Sequence, residues 1–578
     1  MTLKSTQKTN ILLLALWGLC LLGYGIFTFE LERFILPFGW AFLWHLTSMA
    51  FGQGLLRALN YQPEDLGVRL SWAWLLGLGC SGVGVFLIFT LGLGHEETLW
   101  ALWGSMGLVG LWGCLPALKS NDWQFGIPAS WYWFGLVASL ILLLAMVPPL
   151  FYDTAVYHLG LMTQMGLWGE TLVYPHSSFA SMPLLTEMAI ATPYWLSEDP
   201  VVFNVANSFG FLLLGFAASN VARVFFPKAD NTGLLLAVLA CPIAIFVATG
   251  GKPDWMTATA FAGAYFFWNV LVQEEKSSKA TWILLGFMLG FLIGSKFHGL
   301  LFAVLFLVMT FFVSPWRRLL KEKNMFWTLG VLLFTGGLFL FRNAWVFQNP
   351  VYPFGAGFFG ASDWNMRTAD LYQGIAERLH SVTDLFVLPW KISFWVTDGT
   401  MNDLVGPLWL FLLPLALVAR PWPVPLKRFG IFVLLVTPLW LFSNAKVRYF
   451  APLWLLLFWV CGWAWSYLNE QSEPMKRVGQ GGVFALVLAS LLWNLQADEA
   501  LLVKRGAYVL GHQDKETYLQ RNYGPYEAYE YVNKKLPEDA VVVLMGEPRL
   551  AYLKRRAIFS DVFVLPLHDQ ILGRHSSP

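Results

Sequence analysis

The chain has 578 residues, of which 57% are hydrophobic and 13% are charged, and its mean hydropathy is +0.56. Water-soluble globular proteins are typically about 45–50% apolar and about 25% charged, so this composition argues against a soluble enzyme, a disordered protein and a nucleic-acid binder. The net charge of +2 gives no sign of a polyanionic or polycationic partner. The composition therefore predicts a polytopic membrane protein whose surroundings are the lipid bilayer.

Hydropathy along the chain predicts fifteen membrane-spanning helices, because about 20 mostly apolar residues are needed to cross a bilayer. The predicted spans lie near residues 11–29, 34–55, 71–93, 98–117, 131–150, 200–222, 232–250, 255–273, 280–296, 299–314, 325–341, 404–419, 429–443, 449–468 and 481–497. No small-residue cleavage site follows the first span, which indicates an uncleaved helix rather than a signal peptide. The five cysteines form no CxxC pair, so no thiolate metal site is predicted.

The distribution of Lys and Arg predicts which loops face the cytoplasm. If the N-terminus is cytoplasmic, 18 of the 27 basic residues before residue 498 fall in short inside connections. Residues 151–199, by contrast, contain no Lys or Arg. The positive-inside rule then predicts a multi-pass protein with this loop and the C-terminal tail on the outer side, which is the periplasm if the membrane is a cell inner (plasma) membrane.

The first long outside loop opens with a carboxylate, Asp153, directly after the fifth predicted span. Residues 154–169 have the pattern of an amphipathic helix that lies on the bilayer surface. Its apolar stripe consists of Ala155, Leu159, Met162 and Met165. Steps of four and seven residues place Tyr157 and Gln164 on the same face as Asp153, opposite that stripe. Asp153 is therefore a candidate catalytic group at the membrane boundary, and a helix N-cap is the alternative.

Further charged residues occupy the outer ends of predicted spans. Asp254 is a second candidate carboxylate, for which an N-capping residue in a tight turn is the alternative. Lys296, Arg342 and Arg448 could hold a lipid phosphate, or could anchor their helices at the interface. Carboxylates and cations gathered at one membrane face suit chemistry on an amphiphile with an anionic head group. They suit a transporter less, because a transporter is expected to have polar or broken helices at the bilayer midplane.

Three histidines are the best placed to assist: His158, His176 and His298. They could form a three-His metal site only if they converge in space, and sequence spacing does not show this. A divalent metal cofactor is therefore left open.

Motifs in a fixed order extend from about residue 148 to residue 560. They comprise residues 149–159, 178–188 and 290–296, Arg342-Asn343 with residues 349–354, residues 388–390, and Arg448-Tyr449 with Pro452. In this order they resemble the GT-C membrane glycosyltransferases, which use polyprenyl-phosphate sugars. The relevant branch is similar to the dolichyl-phosphate-mannose protein mannosyltransferases, the lipid A aminoarabinose transferase and the rhizobial core galacturonosyltransferases. Residues 525–528 and 541–546 look like the soluble tail of that family.

The resemblance implies a fold and a division of the chain. The fold is an all-α polytopic membrane protein of GT-C type with about 15 transmembrane helices, followed by a small soluble α/β domain. Residues 1–130 would contain extra N-terminal transmembrane helices, which carry no motif of the family. Residues 131–497 would form the glycosyltransferase module, with periplasmic loops at 151–199 and 342–403. Residues 498–578 would form the periplasmic tail.

The resemblance also implies a reaction. A sugar would pass from a polyprenyl-phosphate donor to a periplasmic or outer-leaflet acceptor, which is a cell-envelope glycan, a lipid or a protein. Asp153 would be the general base, and Asp254 the second acidic residue of the site. Cations would offset the charge that develops on the departing phosphate. The predicted substrate-binding residues are Tyr157, His158, Glu187, Lys296, His298, Arg342, Arg448 and Tyr449.

A lipid-linked oligosaccharide ligase or polymerase, or a flippase-type carrier of the same amphiphile, is the alternative. A ligase on another fold would depend on Arg367, Arg378 and His380 in the second large loop and would not need Asp153. A carrier would need no base at all.

Overall fold

The computed structural model describes residues 31–119, 129–171, 177–226, 228–274, 278–313, 315–360, 383–394, 404–443, 446–497 and 505–561. The first predicted span, His176 and the three loop residues of the ligase alternative lie outside these ranges. Within them the chain is predominantly helical, with one small two-stranded sheet. The predicted class, an all-α polytopic membrane protein, is confirmed.

The N-terminal half consists of helices with two short irregular turns between them. The helices are α1 (Leu31–Ala58), α2 (Leu66–Thr90), α3 (Glu96–Lys119), α4 (Ala129–Ala145), α5 (Leu159–Trp168), α6 (Leu185–Ser197), α7 (Pro200–Phe225), α8 (Asn231–Leu239), α9 (Pro242–Thr249) and α10 (Asp254–Gln273). A π-helical turn, Thr154–His158, precedes α5, and a 3₁₀ turn, Ser178–Ser181, precedes α6. Helix α7 begins where such a helix is expected, because Asp199 caps the Val201 amide and Pro200 occupies the first position.

The C-terminal half continues the bundle and ends in a small α/β unit. The helices are α11 (Lys279–Ser295), α12 (Phe297–Phe311), α13 (Trp316–Lys321), α14 (Met325–Leu332), α15 (Leu338–Phe347), α16 (Ala356–Phe359), α17 (Thr383–Phe394), α18 (Leu408–Val418), α19 (Val424–Ser443), α20 (Ala451–Asn469), α21 (Glu473–Ala497), α22 (Lys515–Asn522) and α23 (Tyr526–Lys535). A π-helical turn, Leu333–Gly337, joins α14 to α15. Strands β1 (Val541–Leu544) and β2 (Arg556–Phe559) pair in parallel, with Val541 opposite Arg556.

Every predicted span from 34–55 onward coincides with a helix or a helix pair. Among the described residues, eight helices are long and apolar enough to cross a membrane, or nine if α8 and α9, bent by 62°, are one span. The predicted spans at 280–296 and 299–314 are the antiparallel pair α11 and α12, which have 17 and 15 residues. The total of fifteen spans and the domain boundaries stay predictions.

Buried amide side chains on α7 hold the helix ends beneath the outer loop. Asn207 donates to the carbonyl oxygens of Val247 and Ala248, at 2.8 and 2.9 Å. Asn204 donates to the Ala145 carbonyl oxygen at 2.8 Å. Since these carbonyls belong to the last turns of α9 and α4, the bonds satisfy groups that a helix terminus leaves unpaired. They fix the ends of α4 and α9 side by side, directly below Asp153 and the 250–253 turn.

The prediction that residues 154–169 lie on the bilayer surface is wrong. The π-helical turn and the first two turns of α5 are buried on all sides, including both Gln164 and the supposed lipid-facing Met162. The side chain of Gln164 donates to the Arg555 carbonyl oxygen at 3.1 Å and accepts from the Ala557 amide at 2.8 Å. The tail therefore covers the face that the sequence pattern assigns to water.

Further contacts join the tail to the first outer loop. The amides of Leu550 and Ala551 both donate to the Ala155 carbonyl oxygen, at 2.7 and 3.1 Å. Asp561 accepts hydrogen bonds from the Ser177 and Ser178 hydroxyls, at 3.1 and 2.9 Å. The tail thus lies on the same side of the bundle as Asp153.

Cysteine labelling tests which side this is. Tyr531 in the tail is 65% exposed. Lys323 lies between α13 and α14, in the connection that follows the end of α12 farthest from Lys296. In intact spheroplasts, a membrane-impermeant maleimide should label Tyr531→Cys and should label Lys323→Cys only after lysis. The reverse pattern would contradict the periplasmic orientation.

Candidate active site

A cavity of about 170 Å³ lies beside the π-helical turn, at the end of the bundle that the tail covers. It is lined by Asp153, Tyr157, His158, Phe179, Met182, Pro183, Leu184, Glu187, Ser295, Lys296, Phe297, His298, Phe354, Lys446, Arg448 and Tyr449. The lining combines residues from five separate stretches of the chain. Most of the predicted site residues meet here, which makes this cavity the candidate active site.

Asp153 accepts hydrogen bonds from two cations. Its Oδ2 lies 3.0 Å from Lys252 Nζ and 2.9 Å from Arg448 Nη1. The carboxylate caps no backbone amide, so the N-cap alternative is wrong. Burial alone would raise the pKa of Asp153, but the charges of Lys252 and Arg448 outweigh burial and hold this pKa well below its usual value.

Lys252 is a residue of the site that the sequence analysis missed. It is completely buried, and its Nζ lies 3.5 Å from the Phe151 ring centroid. Burial, together with the charge of Arg448, lowers the pKa of Lys252 to about 7. The available signal was a lone lysine in the turn between two apolar helices. In that turn Gly251 has a φ of +69°, and a Cβ there would lie 2.7 Å from Thr154 Cγ2.

Asp254 and Lys296 form a second ion pair at the edge of the cavity. Asp254 is the first residue of α10 and the N-cap position is occupied by Pro253, so the capping alternative is wrong here too. Lys296 has an extended backbone that separates α11 from α12 and brings its side chain to the cavity. Its Nζ lies 5.0 Å from the Tyr449 ring centroid, against which the His298 ring stacks at 5.0 Å. The predicted residues of this group therefore converge.

His158 and Glu187 form a buried pair in the cavity wall. His158 Nδ1 lies 2.6 Å from Glu187 Oε1, and the two side chains are 1% and 2% exposed. The Thr186 hydroxyl donates to Glu187 Oε2 at 2.6 Å. The Tyr157 ring lies beside His158, with 4.2 Å between the ring centroids. This pair places an imidazole, oriented by a carboxylate, at the cavity surface.

Arg342 does not line the cavity, contrary to its predicted role at the phosphate. Its Nη1 donates to the Ala180 carbonyl oxygen at 2.8 Å. The neighbouring Asn343 donates to the Ser181 carbonyl oxygen at 2.7 Å. Because Phe179 in the same 3₁₀ turn lines the cavity, Arg342 contributes to the wall indirectly.

The cavity does not fit a divalent metal well. Within the described ranges, no three His, Cys, Asp or Glu side chains are grouped so that they could hold a metal ion. Asp153 and Asp254, the carboxylates nearest the cations, are already paired with Lys252, Arg448 and Lys296. Because these two carboxylates already have cations as partners, no chemical step is assigned to a metal.

Comparisons with known proteins give matches of two kinds. The family model described as "Domain of unknown function (DUF8201)" matches residues 189–455, less than half of the chain. The curated proteins give no significant match. Among solved structures, the chain is similar to ArnT from Cupriavidus metallidurans bound to undecaprenyl phosphate, with 17% identity and a TM-score of 0.48 over 74% of this chain and 84% of that one. The apo state of ArnT from the same organism gives 17% identity and a TM-score of 0.48, over 73% and 84% of the two chains.

Proposed function

We propose that this protein is an integral membrane glycosyltransferase of GT-C type that acts at the periplasmic face of the inner membrane. Its donor would be a polyprenyl-phosphate sugar, and its acceptor a hydroxyl of a cell-envelope glycan, lipid or protein. The observation that carries the proposal is the cavity, in which Lys296, Lys446 and Arg448 lie beside the carboxylates of Asp153 and Glu187. Cations of this kind, partly shielded from water, bind phosphate by charge-assisted hydrogen bonds.

An apolar groove beside Lys296 supports a lipid-linked donor. The groove has a volume of about 500 Å³ and is lined mainly by α11, α12 and α14, with residues of α10 and α13. On α11 it extends from Ile293, close to Lys296, to Trp282, which is about 16 Å at 1.5 Å per residue. A phosphate at Lys296 would therefore leave an attached polyprenyl chain directed into an apolar surface within the bilayer.

The reaction transfers one glycosyl group and one proton. The acceptor oxygen forms a bond to the anomeric carbon while the bond from that carbon to the phosphate oxygen breaks. The electron pair of the broken bond stays on the lipid phosphate, where Lys296 and Arg448 would stabilise the added charge. The acceptor hydroxyl gives its proton to a base in the cavity. Two groups qualify: Asp153, the base predicted from the sequence, and His158.

Release of lipid phosphate from purified protein tests the proposed function. Arg448→Gln and Lys296→Gln should each raise the KM for the donor by about 10- to 150-fold, because a hydrogen bond to a charged group contributes about 1.5–3 kcal/mol. Lys279→Gln is the matched control, since this lysine begins the helix that ends just before Lys296. A wild-type protein that moves the donor across a membrane without releasing lipid phosphate would favour the carrier alternative.

A further inference from the structure

We propose that His158, oriented by Glu187, is the catalytic base that takes the proton of the acceptor hydroxyl, in place of Asp153. This inference rests on the proposed function. It follows from the geometry of the pair, from the state of the competing carboxylate and from the local backbone.

The pair fixes which nitrogen of His158 is available. A carboxylate can only accept a hydrogen bond, so the 2.6 Å contact with Glu187 requires the proton of the neutral ring to be on Nδ1. The Thr186 hydroxyl holds the other oxygen of Glu187 in place. The remaining nitrogen, Nε2, therefore carries a lone pair that no proton occupies.

Nε2 of His158 has no hydrogen-bond partner among the described residues, although it is fully buried. Leaving a buried polar atom unpaired costs free energy, and native proteins satisfy nearly all such groups. His158 belongs to the cavity wall, so a hydroxyl bound in the cavity could supply the missing donor. The ring is thus prepared to accept a hydrogen bond, which is the first step in accepting a proton.

Asp153 is less suited to this task. Its Oδ2 already accepts from Lys252 and Arg448, and both cations would lose a partner if the carboxylate were protonated. The low pKa of Asp153 that results makes it a weak base near neutral pH, because base catalysis is most efficient when the pKa is close to the working pH.

The π-helical turn explains how both groups reach the cavity. The Leu159 amide donates to the Thr154 carbonyl oxygen, five residues earlier, where an α-helix would use a spacing of four. This wider turn adds one residue, so Tyr157 and His158 both line the cavity together with Asp153. Ordinary α-helical spacing from Asp153 would have brought Tyr157 to this face but not His158.

The proton step balances without an additional reactant. His158 Nε2 takes the hydroxyl proton as the acceptor oxygen bonds to the anomeric carbon. The imidazolium that forms is stabilised by Glu187, and its proton passes to solvent after the lipid phosphate leaves. Glu187 acts here as a positioning residue, in the way that an acidic residue orients a histidine in hydrolases.

The surroundings of His158 determine the direction of its pH dependence. The charged and titratable groups facing it are Asp153, Tyr157, Glu187, Lys252, Asp254, Lys296, His298, Lys446, Arg448 and Tyr449. Burial lowers the pKa of His158 below 6.5, although Glu187 and Asp254 oppose this change. The ring is therefore neutral at pH 7 and can accept a proton. Activity should fall as the pH decreases through the pKa of His158.

The test is the pH profile of kcat/KM, measured as lipid phosphate release by the full-length protein in three variants. Wild type should lose activity as the pH decreases below 6.5, the usual pKa of histidine. His158→Gln should lower kcat by about 10²- to 10⁴-fold and remove this acid limb. Glu187→Gln should keep the ring oriented but move the limb to lower pH, because the imidazolium loses its counter-charge. His512→Gln, at an exposed histidine of the tail, should leave the profile unchanged.

Two results would overturn the inference. One is a His158→Gln protein whose remaining activity keeps the acid limb of the wild-type profile, since that limb would then belong to another group. The other is a His158→Gln protein that keeps activity within about 3-fold of wild type, well short of the loss expected for a general base. Either result leaves the proposed function intact, whereas a wild-type protein that releases no lipid phosphate would contradict the function itself.

Discussion

Replacing Asp153 with Asn is expected to lower transfer by about 10²-fold or more and to destabilise the protein in a pH-dependent way. Asn caps a helix about as well as Asp, so a capping residue would tolerate this change. In the structure, however, Asp153 is the counter-charge of the completely buried Lys252 and a partner of Arg448. Displacing Arg448 by even about 1 Å could cost two orders of magnitude in rate, because it is proposed to hold the donor phosphate.

The stability effect has a definite sign. The pKa of Lys252 is about 7 when folded and 10.5 in an unperturbed lysine, so the unfolded state binds this proton more tightly and stability rises with pH over that interval. Without Asp153 the folded pKa decreases further. The part of the stability loss that comes from Lys252 should therefore vanish above pH 7 and increase as the pH falls below 7.

A double variant separates the two effects of Asp153. Asp153→Asn combined with Lys252→Met removes both charges of the buried pair, and such replacements are often far better tolerated than loss of one partner. The melting temperature should recover and lose its added pH dependence, while transfer should stay low. If His158 is the base, its acid limb should also persist in Asp153→Asn. A single Asp153→Asn protein with normal melting and normal activity would contradict the assigned role.

The general architecture could be predicted because membrane helices leave a strong signal in sequence. Long apolar runs have few alternatives to a spanning or buried helix, and the helices of the structure follow the predicted spans closely. Asp153, Asp254, Lys296 and Arg448 could be identified for a related reason. A charge at the end of an apolar run is costly unless it is paired, and each of these four is paired in the structure.

The pairings themselves could not be predicted, because they join residues far apart in the chain. Lys252 and Asp153 are separated by 99 residues, and only the folded bundle shows that one neutralises the other. The helical periodicity of residues 154–169 was also misleading. A helix face with polar residues is expected to contact water unless another part of the chain covers it. Here the tail covers that face, and the residues that bind Gln164 are almost 400 positions away in the sequence. The π-helical turn has no sequence signature of comparable strength.

Gln164 provides the second prediction of large effect, because both ends of its amide bind the tail. Gln164→Leu would leave the Arg555 carbonyl and the Ala557 amide without these partners in a buried interface. A hydrogen bond within a protein contributes about 0.5–1.5 kcal/mol, so the loss of these two bonds should destabilise the variant by about 1–3 kcal/mol, and its tail should become sensitive to protease. The neighbouring π-helical turn, which carries His158, would lose support, so kcat should fall. The KM for the donor should change little, because the phosphate-binding cations belong to other elements. Gln471→Leu is the matched control, since the side-chain amide of Gln471 donates to the Tyr467 carbonyl oxygen, near the end of α20. Equal melting temperatures and equal protease resistance for the two variants would show that the tail does not depend on this contact.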